Sequence, residues 1–233
     1  MQHIQKLHLE KNRINLLIFG CGPGTEILGF AKGIEKSQHL EGIIDLRISL
    51  LDRTNEWEFC CREVIRQIGS VLNYKLKFSE VLFYALDIED FDRIREYSKL
   101  LFSNVDIYIM SYFFSEIYND NHKREGFQYL IKEIAKNGKK GSKILFIDRR
   151  QEGIKDKLIL ILRNSGVFAS SDLATGDRYN ACTHFQNRND SNEKFEMDDN
   201  IEKYCMLDSQ LNCLTSILKS RTDAKAFWLE GTI

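Results

Sequence analysis

The stretch "IFGCGPGTE" at residues 18–26 places three glycines, Gly20, Gly22 and Gly24, at alternate positions. The aliphatic run "INLLIF" at 14–19 leads into it, and a pattern typical of a helix follows it. Glycine lets backbone N–H groups approach a ligand without interference from a Cβ atom, and the start of a helix favours negative charge. A strand, a glycine-rich turn and a helix in this order therefore indicate a ligand-binding turn, with a tight but empty turn as the alternative.

The spacing of the glycines distinguishes two cofactor classes that use such a turn. The dinucleotide fingerprint GxGxxG would place its third glycine at position 25, where this chain has Thr25. The observed GxGxG spacing, followed by Thr25 and Glu26, resembles motif I of the Rossmann-like (class I) S-adenosylmethionine-dependent methyltransferases. The resemblance covers about residues 14–150, and its specific part is the turn "GCGPGT". It implies a methyltransferase that uses S-adenosyl-L-methionine.

Aliphatic strands alternate with helical patterns along the chain, which is typical of crossover units and a parallel sheet buried on both faces. With the resemblance, this predicts an α/β fold with a mainly parallel seven-stranded sheet sandwiched by helices, in a single domain over 1–233. The strands read directly from the sequence are 14–19, 44–52, 80–87, 105–112, 141–148 and 224–233. Helices are predicted between them, including one long helix after the fourth strand that ends near Asn137.

Two further segments carry specific expectations. Asn55 and Glu58 resemble a capping box that starts the second helix, whose apolar positions include Phe59. Residues 172–222 are expected to form an insertion before the last strand. It would contain an exposed polar loop at 186–200 and an amphipathic helix at 201–219.

The family's cofactor contacts can be carried over by position. An acidic residue usually ends the second strand and binds the ribose hydroxyls, which implies Asp52, and another often follows the third strand near the adenine amino group, which implies Asp87. Each has a plain alternative: Asp52 as a loop-starting residue, and Asp87 as part of a helix start. The full set that the resemblance implies for the cofactor is Gly20, Cys21, Gly22, Gly24, Asp52, Arg53, Asp87, Ile88 and Ser111.

The segment "IMSYFFSEIY" aligns with motif IV of the family, where strand ends face the transferred methyl group. This implies Tyr112 and Glu116 as catalytic candidates, with Glu116 as a general base or an amine-orienting group. Glu116 is as readily a carboxylate in the first turn of a helix. The Asn/Asp-Pro-Pro-Tyr/Phe motif of amino-group DNA and protein methyltransferases is absent, because Pro23 is the only proline. That substrate class is disfavoured.

The chain departs from the family pattern at two places. The family commonly has Asp or Glu two residues before the first glycine, where this chain has Ile18, so another polar group must substitute in an active enzyme. Only a short segment precedes the first strand, so the 172–222 region or a protein partner is expected to cover the substrate.

Composition and net charge bear on the substrate class, membrane association and cellular location. The formal net charge of -1 favours a small-molecule or protein substrate, although nucleic acid is not excluded. No apolar stretch approaches the roughly 20 residues of a membrane span, and no membrane partner is expected. The six cysteines form neither a disulfide framework nor a metal-binding spacing, so we expect no metal and a cytoplasmic location.

The leading hypothesis is a methyltransferase, and the alternative is an inert regulatory or assembly subunit with the same fold. An NAD-linked oxidoreductase is disfavoured by the glycine spacing.

Overall fold

The computed structural model describes residues 13–35, 44–71, 76–149, 153–165, 174–180 and 225–233. The strands are β1 (Arg13–Phe19), β2 (Ile44–Asp52), β3 (Leu76–Ala85), β4 (Ile107–Ser111), β5 (Lys143–Arg149), β6 (Ala174–Asn180) and β7 (Lys225–Thr232). The helices are α1 (Thr25–Glu35), α2 (Glu58–Val71), α3 (Phe91–Leu101), α4 (Phe113–Ile117), α5 (Asn121–Asn137) and α6 (Ile154–Asn164).

The strands form one sheet in the order β3-β2-β1-β4-β5-β7-β6. All neighbours are parallel except the two pairs that involve β7. The prediction of a mainly parallel seven-stranded sheet flanked by helices is confirmed. The order runs one way from β1 to β3 and the other way from β4 onwards, so the topological switch point lies between β1 and β4. In open α/β sheets, ligands bind in the crevice at the carboxyl ends of the strands at this point.

The sheet is buried on both faces, and β1 illustrates why its sequence is almost wholly aliphatic. Leu17 and Phe19 belong to a core cluster on one face, which α3, α5 and α6 help to form. Ile14, Leu16 and Ile18 belong to the cluster on the other face, together with residues of α1 and α2. Alternate side chains of a strand point to opposite faces, so a strand covered on both sides is apolar throughout.

The second helix starts differently from the prediction. A 3₁₀ turn at Asn55–Trp57 precedes α2, and the Thr54 hydroxyl, 3.4 Å from the Glu56 N–H, accepts its hydrogen bond. The predicted capping box between Asn55 and Glu58 is therefore wrong. The assignment of Phe59 to the apolar face is also wrong, because its side chain is 78% exposed. Cys61 is fully buried, and a residue two positions away lies roughly 200° around the helix, which turns Phe59 outwards.

The long helix predicted after β4 is in fact two helices, α4 and α5. The break lies at Tyr118–Asp120, where the Asp120 carboxylate accepts a hydrogen bond from the Lys123 N–H at 3.2 Å and caps α5. The predicted end near Asn137 is confirmed.

Part of the predicted insertion at 172–222 is described, and it contains β6. The expected loop at 186–200 and the expected helix at 201–219 lie outside the described residues. The last strand is confirmed as β7. None of the helices in the described ranges combines the length and the apolar character of a membrane span.

Candidate cofactor-binding site

The glycine turn follows β1 directly and is tied to the end of β2. The Gly20 N–H donates to the Leu51 carbonyl at 2.8 Å, and the Gly24 N–H donates to the Cys21 carbonyl at 2.9 Å. Gly20, Gly22 and Gly24 have φ angles of 60°, 45° and 91°. These left-handed conformations are costly for residues with a Cβ atom, so the backbone path itself accounts for the three glycines.

The surroundings of the three glycines differ. A Cβ atom on Gly20 would lie 2.7 Å from Cδ2 of Phe113, and one on Gly24 would lie 3.4 Å from Cα of Cys61. These two glycines therefore allow close packing of α4 and α2 against the turn. A Cβ atom on Gly22 would meet nothing within 4 Å. The open space expected along the whole turn is found beside Gly22.

Asp52 ends β2 beside this open position. Its carboxylate oxygen Oδ2 accepts a hydrogen bond from the Gly22 N–H at 3.0 Å, and its backbone carbonyl accepts one from the Leu86 N–H at 2.7 Å. The side chain is half-buried, and Oδ1 makes no hydrogen bond within the described part of the chain. Asp52 thus fixes the turn and keeps one carboxylate oxygen for another donor.

Two thiols pack beneath the turn. Cys21 and Cys61 are buried, with their Sγ atoms 3.9 Å apart, and the Cys61 thiol donates to the Gly22 carbonyl at 3.2 Å. The hydrogen bond with Cys61, followed by burial, raises the pKa of Cys21 well above its usual range. Cys21 is therefore a neutral thiol at physiological pH. Its Sγ atom lies 4.0 Å from Oδ2 of Asp52.

The end of β4 lies next to β1, so Ser111 and Tyr112 are brought to the same edge of the sheet as the glycine turn. Tyr112 has a φ of 55°, and among the described residues it is the one non-glycine with positive φ. Its N–H donates to the Ile147 carbonyl at 2.6 Å, which fixes this strained turn. Glu116 follows on α4 with its side chain exposed.

The other sequence-predicted positions follow the ends of β2 and β3. The Asp87 carboxylate accepts a hydrogen bond from the Glu89 N–H at 3.0 Å, so part of its role is to shape the turn before α3. It also lines a surface groove with Glu89, Asp90, Phe91 and Asp92. The Ile88 side chain is buried in the core, and Arg53 is exposed beside Asp52.

One polar residue at this edge was missed by the sequence analysis. Glu26 lies in the first turn of α1, where its carboxylate accepts hydrogen bonds from the Thr25 hydroxyl at 3.1 Å and from the side chain of Ser111. Burial raises the pKa of Glu26 above its usual range. The available signal was an acidic residue directly after the glycine turn. Ile18, by contrast, is fully buried in β1 and offers no polar group.

Comparison with known proteins gives a result at the level of the fold. No protein-family profile matches the chain, and no curated protein matches it. Solved structures of Haemonchus contortus phosphoethanolamine N-methyltransferase 2 match 98% of this chain at TM-score 0.54. They are 15% and 16% identical, and the match covers 51% and 50% of their own length. Phosphoethanolamine N-methyltransferase 1 of the same organism matches 97% of this chain at 9% identity and TM-score 0.50, over 38% of its own length.

The chain therefore has the Rossmann-like fold of the class I S-adenosylmethionine-dependent methyltransferases, and it spans about half the length of the structures it matches first. The residues at the switch point suit such a cofactor. The bare Gly22 backbone leaves open space, Oδ1 of Asp52 is not used by the hydrogen bond to Gly22, and Glu26 supplies a second carboxylate at this edge.

Proposed function

We propose that this protein is an S-adenosylmethionine-dependent methyltransferase. The observation that carries the proposal is the open space beside Gly22, bordered by the half-buried Asp52 carboxylate, at the carboxyl edge of the sheet where β1 and β4 diverge. Ligands bind at this place in open α/β sheets. The structural neighbours at this level of similarity include proteins crystallised with S-adenosylmethionine or S-adenosylhomocysteine.

The residues of the turn have separable roles in this proposal. Asp52 accepts hydrogen bonds from the ribose hydroxyls through Oδ1 while Oδ2 holds the Gly22 amide. Gly22 lets the nucleoside approach the backbone. S-adenosylmethionine, when bound, supplies both the methyl group and its leaving group, so the protein chiefly binds and orients the two reactants.

Asp87, Ile88 and Arg53 are proposed to border the adenine and ribose. Asp87 lies in the loop between β3 and α3, two residues after the strand ends, and it lines an open surface groove, which supports this role. The remaining carboxylate oxygen, Oδ2, is not used by the Asp87–Glu89 turn.

The acceptor side is proposed to lie beyond β4. Tyr112 is held in a left-handed conformation at the end of this strand, and such strained residues cluster at functional sites. Glu116 lies one helical turn further on and serves as a base only if the acceptor must lose a proton.

A net charge of -1 favours a small molecule or a protein as the acceptor. A cytoplasmic location suits the free thiols of Cys21, Cys60 and Cys61, which a reducing compartment preserves.

A second candidate function is a regulatory or assembly subunit that has the fold without catalysis. The observation that favours it is Ile18, which is buried where the resemblance implies an acidic residue.

Calorimetry of the full chain with S-adenosylhomocysteine and S-adenosylmethionine tests the proposal. We expect a Kd on the order of 1–100 μM, typical of a modest cofactor site. The methyl acceptor is then sought by incubating lysate fractions with the protein and methyl-labelled cofactor, followed by intact-mass analysis. Cofactor binding without transfer to any fraction favours the regulatory subunit. Binding of NADH in place of both nucleosides would contradict the proposal.

A further inference from the structure

Cys21 and Cys61 form a pair of thiols that connects the glycine turn to α2. Both residues are buried, and their Sγ atoms lie 3.9 Å apart, which is too close for another atom to lie between them. The sulfur atoms of a disulfide are about 2.05 Å apart, so closing the bond requires an approach of about 1.9 Å. The pair therefore meets the first requirement for a disulfide, which is proximity without an intervening group.

The backbone around the two thiols differs in its freedom to move. Cys61 lies within α2, where the helical backbone fixes its position. Cys21 lies between Gly20 and Gly22, and a Cβ atom on Gly22 would meet nothing within 4 Å. Because glycine permits the widest range of backbone conformations, the turn can shift into this open space. We therefore expect the turn, and not the helix, to make the movement that brings the two sulfur atoms together.

The two thiols also differ in acidity. Their hydrogen bond lowers the pKa of the Cys61 thiol, although burial acts in the opposite direction. The same hydrogen bond raises the pKa of Cys21. The thiolate is the form of cysteine that attacks an oxidant, so Cys61 is the thiol expected to react first. Cys21 is then the neighbouring thiol that completes the disulfide.

We propose that Cys21 and Cys61 form an oxidation site that hydrogen peroxide converts to a disulfide, and that this bond weakens cofactor binding by displacing the glycine turn. The second part rests on the proposed function. The Cys61 thiol donates a hydrogen bond to the Gly22 carbonyl at 3.2 Å, while Asp52 accepts one from the Gly22 N–H. A disulfide removes the first of these bonds and pulls Cys21 towards α2. In a reducing compartment, disulfides are usually transient and redox-sensing.

The reaction balances with one molecule of hydrogen peroxide. The Cys61 thiolate attacks one peroxide oxygen, the O–O bond breaks, and hydroxide leaves and takes up the former thiol proton as water. The product is a sulfenic acid on Cys61. The Cys21 sulfur then displaces the hydroxyl group from the Cys61 sulfur, and the thiol proton of Cys21 leaves with that group as a second water. The two thiols lose two electrons, which reduce the peroxide.

Peptide mapping without reduction, after the full chain is treated with hydrogen peroxide, tests the oxidation site. We expect one pair of peptides joined through Cys21 and Cys61, about 2 Da lighter than their sum because two hydrogens are lost. Cys60→Ser is the matched control, because Cys60 is the adjacent thiol on α2 and is partly exposed. It should form the same link, and Cys61→Ser should not. An unreacted Cys61, oxygen added to Cys61 without a link, or a link through Cys60 instead would overturn the proposal.

Calorimetry with S-adenosylhomocysteine before and after oxidation tests the effect on binding. The Kd should rise about tenfold or more in the wild type and in Cys60→Ser, and by less than about twofold in Cys61→Ser. Each variant is compared with its own reduced form, so the effect of the substitution itself cancels. Dithiothreitol should restore the affinity.

Unchanged affinity in the linked protein would overturn the proposed effect on binding. An equal loss in Cys61→Ser, or a loss that dithiothreitol does not reverse, would overturn it as well. In these cases binding by the reduced wild type leaves the proposed function standing. If the reduced wild type does not bind S-adenosylhomocysteine, the proposed function fails and the effect on binding fails with it, while peptide mapping still decides whether the disulfide forms.

Discussion

Oδ2 of Asp52 lies 3.0 Å from the backbone nitrogen of Gly22, and the hydrogen bond between them joins the end of β2 to the turn after β1. The same carboxylate that borders the open space thus fixes the backbone that creates it. Binding of a nucleoside and order in the glycine turn are therefore expected to depend on the same side chain.

Asp52→Asn should weaken S-adenosylhomocysteine binding by about tenfold or more, because it removes the charged acceptor that holds the Gly22 amide and that is proposed to bind the ribose. Calorimetry measures the change. Asp45→Asn is the control at the opposite end of β2, where Asp45 pairs with Arg13 at 2.8 Å far from the turn. It should leave the affinity unchanged, and similar losses in the two variants would count against a ribose contact.

Gly22→Val should abolish S-adenosylhomocysteine binding, because its side chain would fill the open space. Gly141→Val is the control for backbone strain alone. Gly141 also has a positive φ, at 85°, and a Cβ atom there would meet nothing within 4 Å. Both variants should lower Tm by about 2–6 °C, as expected for a strained left-handed residue. Only Gly22→Val should lose the ligand. Retained binding in that variant would place the cofactor elsewhere.

Glu26→Gln should raise the Tm of the ligand-free protein at pH 7.5 by about 1–3 °C, and the gain should vanish near pH 4. The folded-state pKa of Glu26 is raised above the ordinary value, so the folded protein prefers the protonated acid. The contribution of Glu26 to the stability of the wild type is therefore fully present when the pH is below the ordinary pKa of a glutamate. It is lost as the pH rises through the higher folded-state pKa. Thermal unfolding at several pH values measures this. A lower Tm for the variant at pH 7.5 would indicate a structural role.

Gly126→Ala should destabilise the fold by more than about 2 kcal/mol, because a Cβ atom there would overlap the backbone of Ile88, 2.9 Å from its carbonyl carbon and nearer still to its oxygen. Gly29→Ala, in a helix and with nothing within 4 Å, should instead stabilise by about 0.5–1 kcal/mol. Denaturant unfolding distinguishes the two. Equal effects would mean that α5 does not pack against the turn after β3.

Much of the architecture could be predicted from the sequence because the strands of a doubly covered parallel sheet are nearly continuous aliphatic runs. The bounds of β2 match the prediction at both ends. The incorrect predictions concern where helices begin and end. A 3₁₀ turn changes the helix start at Asn55, and the capping carboxylate of Asp120 divides a long apolar pattern into two helices.

The candidate site was only partly predictable. The glycine turn and Asp52 were found because their spacing follows a known pattern, and the structure brings them together. Glu26 was missed because its importance depends on Ser111, which is distant in sequence and becomes a neighbour only through the pairing of β1 with β4. Gly20 and Gly24 lack open space because α4 and α2 pack against them, and no local sequence pattern reveals this packing.

The adjacency of β1 and β4 has a consequence for how such a protein diversifies. In the proposed enzyme, the loop after one strand recognises the nucleoside and the loop after its neighbour faces the acceptor, although the two loops are far apart in sequence. Mutations after Ser111 can therefore retune which molecule is modified while the donor pocket stays intact. One scaffold can in this way serve different acceptors.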